Sequence, residues 1–156
     1  MAKETERKFL VASEAWRDEA AEVLAIRQFY LFVGPDRSLR VRLKKGRATL
    51  ALKLGAHARV RDEYEYPIPL TDVRQMEAFA CGRIIEKARH LVRYRDYLYE
   101  VDVFAGSLSG LVIAELETAD TVADDDLPPW LGLEITGEPA YYNASLAVNG
   151  LPECTE

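Results

Sequence analysis

The sequence predicts an α+β fold: an eight-stranded, antiparallel, closed β-barrel with a few helices packed on its outside. Two observations carry that prediction. Apolar residues recur with a period of two over most of the 156 residues, and short turn signals separate the alternating segments at regular intervals. A period of two belongs to strands, whose successive side chains point to opposite faces. Strands joined by short turns form a meander that can close on itself. The length suits one domain, taken as residues 1–156.

In order along the chain, the alternation places strands at about 3–11, 24–33, 38–44, 47–54, 59–68, 83–94, 96–104 and 111–119. Gly34-Pro35-Asp36 marks a turn between two of them. Lys45-Gly46-Arg47 and Tyr94-Arg95-Asp96 read as tight hairpins, and residues 105–110 as a longer one. Helices are fewer. Ser13 can cap a short helix running to about Glu22, its hydroxyl accepting a hydrogen bond from a backbone N–H that would otherwise lack a partner. Thr71 can cap a second, with Val73, Met76, Phe79 and Ala80 on one face and Gly82 suited to the left-handed position after its end. Asp124-Asp125-Asp126 followed by Pro128-Pro129 reads as an exposed loop, and a third helix begins at Asn143.

Composition narrows the function classes. Hydrophobic residues make up 49% of the chain, enough for a core, and the net charge of −6 argues against a nucleic-acid partner. Cys81 and Cys154 form no CxxC pair, which argues against a zinc site or a disulfide framework and for a reducing compartment. No apolar h-region stands near the N-terminus and no apolar run approaches the ~20 residues of a membrane span, so a cytoplasmic protein with no membrane partner is expected. Asn143-Ala144-Ser145 matches a glycosylation sequon, which has no meaning without export.

The chemistry lies in the parity of the strands. Glu4, Glu6 and Lys8 share one face of the first strand. Arg40 and Arg42 do so on the third, Lys53 follows on the fourth, and Glu63 pairs with Glu65. Lys87 and Arg89, Glu100 and Asp102, and Glu115 and Glu117 repeat the arrangement. The opposite parity is mostly apolar: Leu39, Val41 and Leu43 about the arginines, Leu50, Leu52 and Leu54 about Lys53, Val101 and Val103 about Asp102. Two arrangements fit this alternation. Either the apolar faces meet in an ordinary core and the charges are solvated, or the charges line an interior and the apolar faces pack outward.

Three details favour the charged interior. The charges come as same-sign doublets, which repel one another and serve no purpose on a solvated face. Helices and long segments are present to cover an apolar outer wall. Acids and bases occur on different strands, so they can compensate across a closed space. Burying unpaired charges costs several kcal/mol each, and a polyanion held by the bases with a divalent cation held by the acids removes that cost.

The same residues carry a resemblance. Glu4-Thr5-Glu6-Arg7-Lys8 resembles the ExExK signature of the CYTH superfamily, the triphosphate tunnel metalloenzymes. The likeness continues through Arg40-Val41-Arg42, Lys53, Arg61-Asp62-Glu63-Tyr64-Glu65, Glu86-Lys87-Ala88-Arg89, Glu100-Val101-Asp102-Val103-Phe104 and Ala114-Glu115-Leu116-Glu117. It ends in Glu134-Ile135-Thr136-Gly137 and Tyr142-Asn143-Ala144-Ser145-Leu146-Ala147, so it spans nearly the whole chain. The resemblance implies an eight-stranded tunnel acting on a small-molecule triphosphate with Mg²⁺ or Mn²⁺. It implies Glu4, Glu6, Glu115 and Glu117 as metal-binding acids, with Asp102, Glu63 and Glu65 as further ligands or their supports. Lys8, Arg40, Arg42, Lys53, Lys87 and Arg89 resemble the phosphate clamp, and Tyr30 beside Lys53 resembles a pair that tunes water activation. One departure stands out: many relatives carry a base just before the tyrosine of the C-terminal segment, where this chain has Ala140.

The implied reaction is hydrolysis of inorganic tripolyphosphate to pyrophosphate and phosphate. Class IV adenylate cyclase and thiamine or nucleoside triphosphatase activity are alternatives that no local feature separates; a non-catalytic polyphosphate-binding module is a further one, favoured by the missing base at Ala140 and opposed by the retained acidic pairs. His57 and His90 are isolated, Trp16 and Trp130 suit the outer wall, and Cys81 reads as an inert thiol at a helix end. An apolar outer wall could also support a homodimer.

Overall fold

The computed structural model describes residues 5–57 and 60–152. Their strands are β1 (Thr5–Val11), β2 (Ala20–Val33), β3 (Arg37–Lys44), β4 (Arg47–His57), β5 (Val60–Ile68), β6 (Cys81–Tyr94), β7 (Tyr97–Phe104), β8 (Val112–Thr118) and β9 (Leu131–Glu134), with helices α1 (Leu70–Glu77) and α2 (Asn143–Asn149). All strands join one antiparallel sheet in the order β5-β4-β3-β2-β6-β7-β8-β1-β9.

That order corrects the expected barrel: the sheet is not closed, and it has nine strands rather than eight. The reason lies in the end strands. β5 holds Pro67, which lacks an N–H to donate, and its side chains from Asp62 to Tyr66 are exposed on both faces, as suits an edge. β9 is four residues long and meets β1 at Phe9↔Glu134 and Val11↔Leu131 with an irregularity between them. Neither offers a ladder on which the other can close.

The open sheet is nevertheless strongly curled. Lys53 on β4 interacts electrostatically with Glu6 and Lys8 on β1, although β3, β2, β6, β7 and β8 intervene in the hydrogen-bonded order. Curling produces a concave and a convex face. On the convex side, Trp16, Val92, Tyr99, Val101, Ala114, Leu116, Val122 and Trp130 form one apolar cluster, and Phe29, Val41, Ala48 and Val73 form another beneath α1. A third cluster closes one end of the concave side, where Tyr30, Ile85, Phe104, Ile113 and Ile135 meet Leu146 and Ala147 of α2.

Three local expectations also change. The helix capped by Ser13 shrinks to a 3₁₀ turn, Ala15–Glu19, because β2 already pairs with β6 at Ala20↔Val92 and the ladder takes over the chain there. Pro69 rather than Thr71 precedes α1; Val73 is buried and Met76 and Ala80 pack beside it, but Phe79 is exposed. Gly82 is left-handed at φ +75°, yet it lies within β6, and a Cβ there would stand 2.3 Å from the Ala147 carbonyl oxygen. Glycine is thus required by the approach of α2, not by the end of α1. α2 itself begins at Asn143 as expected. Arg83 Nη1 donates to the carbonyls of Ala147 and Val148 at 3.3 Å each, which fastens its other end. Among the described residues no helix is long and apolar enough to cross a membrane.

Candidate active site

Strand register gathers the charged doublets onto the concave face. Glu6 stands opposite Glu117 and Lys8 opposite Glu115 across β1 and β8, while Glu100 faces Glu115 across β7 and β8. Arg89 faces Asp102, Lys53 faces Glu63, and Tyr30 faces Arg40. Residues opposite each other in a ladder share a face, so the charges that parity grouped strand by strand converge in space. Glu4 lies outside the described residues.

The deepest part is a locked ion cluster. Arg89 grips Asp102 through Nε and Nη2 at 2.8 and 3.0 Å, and reaches Glu100 at 2.7 Å through Nη1. Lys87 Nζ lies 2.8 Å from Asp102 Oδ2 with no exposed side-chain surface. Burial alone would raise the Asp102 carboxyl, but Lys87 and Arg89 hold it well below the usual carboxylate range. Lys87 is pulled down to about 8 by burial, which, with the Arg89 and Arg42 guanidiniums, outweighs its one carboxylate partner. Asp102 therefore serves here as the counter-ion that orients two bases.

Other bases have no such partner. Arg42 makes its side-chain hydrogen bond to a neutral amide, Nε to Gln28 Oε1 at 2.8 Å, and is pushed down to about 10 by burial, Arg40 and Arg89. Lys53 is likewise lowered by burial and then by Arg40. Neither forms a salt bridge among the described residues. Arg40 is 7% exposed, reaches Glu63 and Glu65 only at 3.7 and 4.0 Å, and its buried Nε has no hydrogen-bond acceptor among the described residues. Clustered buried cations with unfilled donors are the complement of a polyanion.

Acids collect nearby. Glu6 and Glu115 share a hydrogen bond between their carboxyl groups. Burial, then that bond, pushes Glu115 up to about 7. Burial would raise Glu6 too, but the bond from Glu115 and the ammonium groups of Lys8 and Lys53 hold it lowered. Lys8 sits between them 3.4 Å from Glu6 Oε1, raised because Glu115 and Glu6 outweigh its burial. Among the described residues no three side chains are drawn together tightly enough to enclose a metal ion. The donor set nonetheless suits a hard divalent cation: two carboxylates on adjacent strands hold a proton where a cation would neutralise both.

Tyr30 is buried, and its phenol is raised by burial against the pull of Arg40, Arg42 and Lys8. Lys53 shares Arg40 and Lys8 with it as neighbours. Two residues of the site escaped the reading of charges because they carry none. Gln28 is fully buried, and its Nε2 donates to Asn143 Oδ1 at 3.0 Å; Lys87 Nζ donates to the same oxygen at 3.1 Å. The signal for Gln28 was present: a lone amide on the parity of Leu24, Ile26 and Tyr30 in β2. Ala140 lies in a 3₁₀ turn, Pro139–Tyr141, with no base there.

Comparison with known proteins shows the family. The chain is 39% identical over 150 residues to an inorganic triphosphatase of Acetivibrio thermocellus, covering 96% of each chain. It is 35% identical to an inorganic triphosphatase of Nitrosomonas europaea, covering 94% of this chain and 97% of that one. A crystal structure of an inorganic triphosphatase superposes with a TM-score of 0.71 at 34% identity, over 97% of this chain and 99% of that one. The CYTH domain matches residues 2–148. The chain belongs to the CYTH domain family.

Proposed function

We propose that this protein hydrolyses inorganic tripolyphosphate to pyrophosphate and phosphate in the presence of Mg²⁺ or Mn²⁺. One observation carries the reading: Arg40, Arg42 and Lys53 converge, largely buried, with too few carboxylates to satisfy them, beside the proton-sharing pair Glu6 and Glu115. A pure anion binder would be weakened by those acids. An enzyme that must hold both phosphate and a cation uses them. The kinship with inorganic triphosphatases supports the same substrate.

In this mechanism Lys8, Arg40, Arg42, Lys87 and Arg89 hold the phosphate chain and stabilise charge on its equatorial oxygens as the terminal phosphoryl group leaves. Arg42 and Arg40 offer forked donors; Lys8 and Lys87 act as point charges. Glu6 and Glu115, with Glu117 and Glu4, would hold the cation, which supplies charge neutralisation and activation of water when bound. Lys53 Nζ, lowered by burial and then by Arg40, would orient the attacking water, with the buried Tyr30 phenol, raised by burial, beside the same bases. Water attacks the terminal phosphorus, the P–O bond to pyrophosphate breaks, and the released proton passes to solvent.

Phosphate release is the test. Tripolyphosphate, ATP and thiamine triphosphate are each supplied with Mg²⁺ or Mn²⁺, and cyclic AMP is assayed alongside. Turnover of tripolyphosphate well above the others is expected; cyclic AMP from ATP, or tight binding of tripolyphosphate with no turnover, would overturn the reading.

A further inference from the structure

Most of the bases on the concave face are held by carboxylates, but Arg42 is held by a neutral amide and Lys87 by a neutral amide beside its carboxylate. Gln28, with no exposed surface, accepts from Arg42 Nε at 2.8 Å and donates to Asn143 at 3.0 Å. Asn143 Oδ1 takes a second bond, from Lys87 Nζ, at 3.1 Å. Two side-chain amides thus join a base on β3 to a base on β6 through the first residue of α2, across β2. Gln28 spends both its oxygen and its nitrogen on this bridge, and Asn143 spends its oxygen. A buried polar residue on a strand normally costs stability unless it is satisfied, and here satisfaction requires both bases to be in place.

The choice of amides has an electrostatic consequence. A carboxylate fixes a cation and cancels it; an amide oxygen fixes it with one lone pair and leaves the charge intact. Arg42 Nε is occupied by Gln28, and its Nη groups make no hydrogen bond among the described residues. They remain the forked pair suited to two phosphate oxygens.

We propose that Gln28 and Asn143 are positioning residues, a two-amide bridge that holds Arg42 and Lys87 in place for polyphosphate without neutralising them. The proposal rests on the reading of the concave face as a tripolyphosphate site. It concerns uncharged residues that touch bases, not substrate.

Charged isosteres separate positioning from simple structural support, because they keep size and acceptor geometry while adding a negative charge. In Asn143→Asp, both acceptor roles survive, so melting temperature should hold while KM for tripolyphosphate rises ~10-fold and kcat changes by less than about threefold. Gln28→Glu should act in the same direction through Arg42, with a lowered melting temperature as well, since it gives up the Nε2 donor to Asn143. Gln28→Met and Asn143→Ala remove the bridge at either side. If it works as one unit, the double variant should raise KM no more than the worse single variant; effects that multiply independently would overturn the bridge. Calorimetric Kd for tripolyphosphate, measured without added metal, gives the same comparison apart from turnover. Wild-type turnover with KM and Kd unmoved in Asn143→Asp and Gln28→Glu overturns the bridge alone. A wild type that binds tripolyphosphate without hydrolysing it overturns the proposed reaction, and the Kd series still decides the bridge. A wild type that neither binds nor hydrolyses it overturns both.

Discussion

Lys87 Nζ lies 2.8 Å from Asp102 Oδ2, and 0% and 7% of the two side chains are exposed. This pair, with Arg89 on the same carboxylate, is the electrostatic keystone between β6 and β7. Removing the acid leaves Lys87 sealed without a counter-charge and Arg89 with Glu100 alone. Asp102→Asn should therefore destabilise the protein by roughly 3–5 kcal/mol in urea denaturation, the usual loss when one partner of a buried pair is removed. Lys87→Met should cost clearly less, since Arg89 still satisfies Asp102. Equal losses in the two variants would show that Asp102 does not serve both bases.

Substrate affinity should fall as pH rises past about 8. Lys87 has its pKa pulled down to about 8 by burial, against 10.5 in the unfolded chain. The sign follows: below about 8 both states are protonated and the penalty of a buried charge is fully present, and it is relieved as pH rises from about 8 toward 10.5, so this group adds stability to the free protein across that window. A polyanion favours the protonated form. Binding at about pH 9 should then be accompanied by proton uptake, read by calorimetry in buffers of different ionisation enthalpy, and Lys87→Met should reduce that uptake, leaving what Lys53 contributes.

Much of this site was legible from parity alone. Glu6, Lys8, Arg40, Arg42, Lys87, Arg89 and Asp102 recur at alternate positions, and alternation fixes which side chains share a face whatever the sheet does at its edges. Closure was not legible. It depends on whether β5 and β9 pair across a gap, and no residue pattern within either strand encodes the partner of an edge. β9 itself, Leu131-Gly132-Leu133-Glu134, is too short to show a period. Gln28 and Asn143 were missed for a third reason: their importance lies in hydrogen bonds between β2 and α2, far apart in sequence.

Stability and activity should part company at Glu115. Its carboxyl is pushed up to about 7 by burial and then by its bond with Glu6, so its cost is absent below about 4.5, grows as pH rises through the window, and is fully present above about 7. Glu115→Gln removes that cost. At about pH 8 and without metal the variant should be roughly 1–3 kcal/mol more stable than wild type in chemical denaturation. It should also lose metal-dependent turnover. A variant that is less stable at this pH, or fully active, would contradict the account of the Glu6–Glu115 pair.

Gly82 links the fold to the bridge. At φ +75° and with a would-be Cβ 2.3 Å from the Ala147 carbonyl oxygen, it lets α2 lie directly on β6. Gly82→Ala meets both a strained backbone conformation and a backbone clash that no side-chain rotation relieves. A loss of roughly 2–4 kcal/mol is expected, read as a lowered melting temperature. The clash falls four residues from Asn143 on the same short helix, so α2 should be displaced along with its bonds to Gln28 and Lys87. KM for tripolyphosphate should rise accordingly. Gly46→Ala is the control, since Gly46 is also left-handed at φ +70° but has open space around its would-be Cβ. It should show only the smaller loss from backbone strain, about 1 kcal/mol, and leave KM unchanged. Equal effects at the two glycines would mean that contact with α2 is not what Gly82 provides.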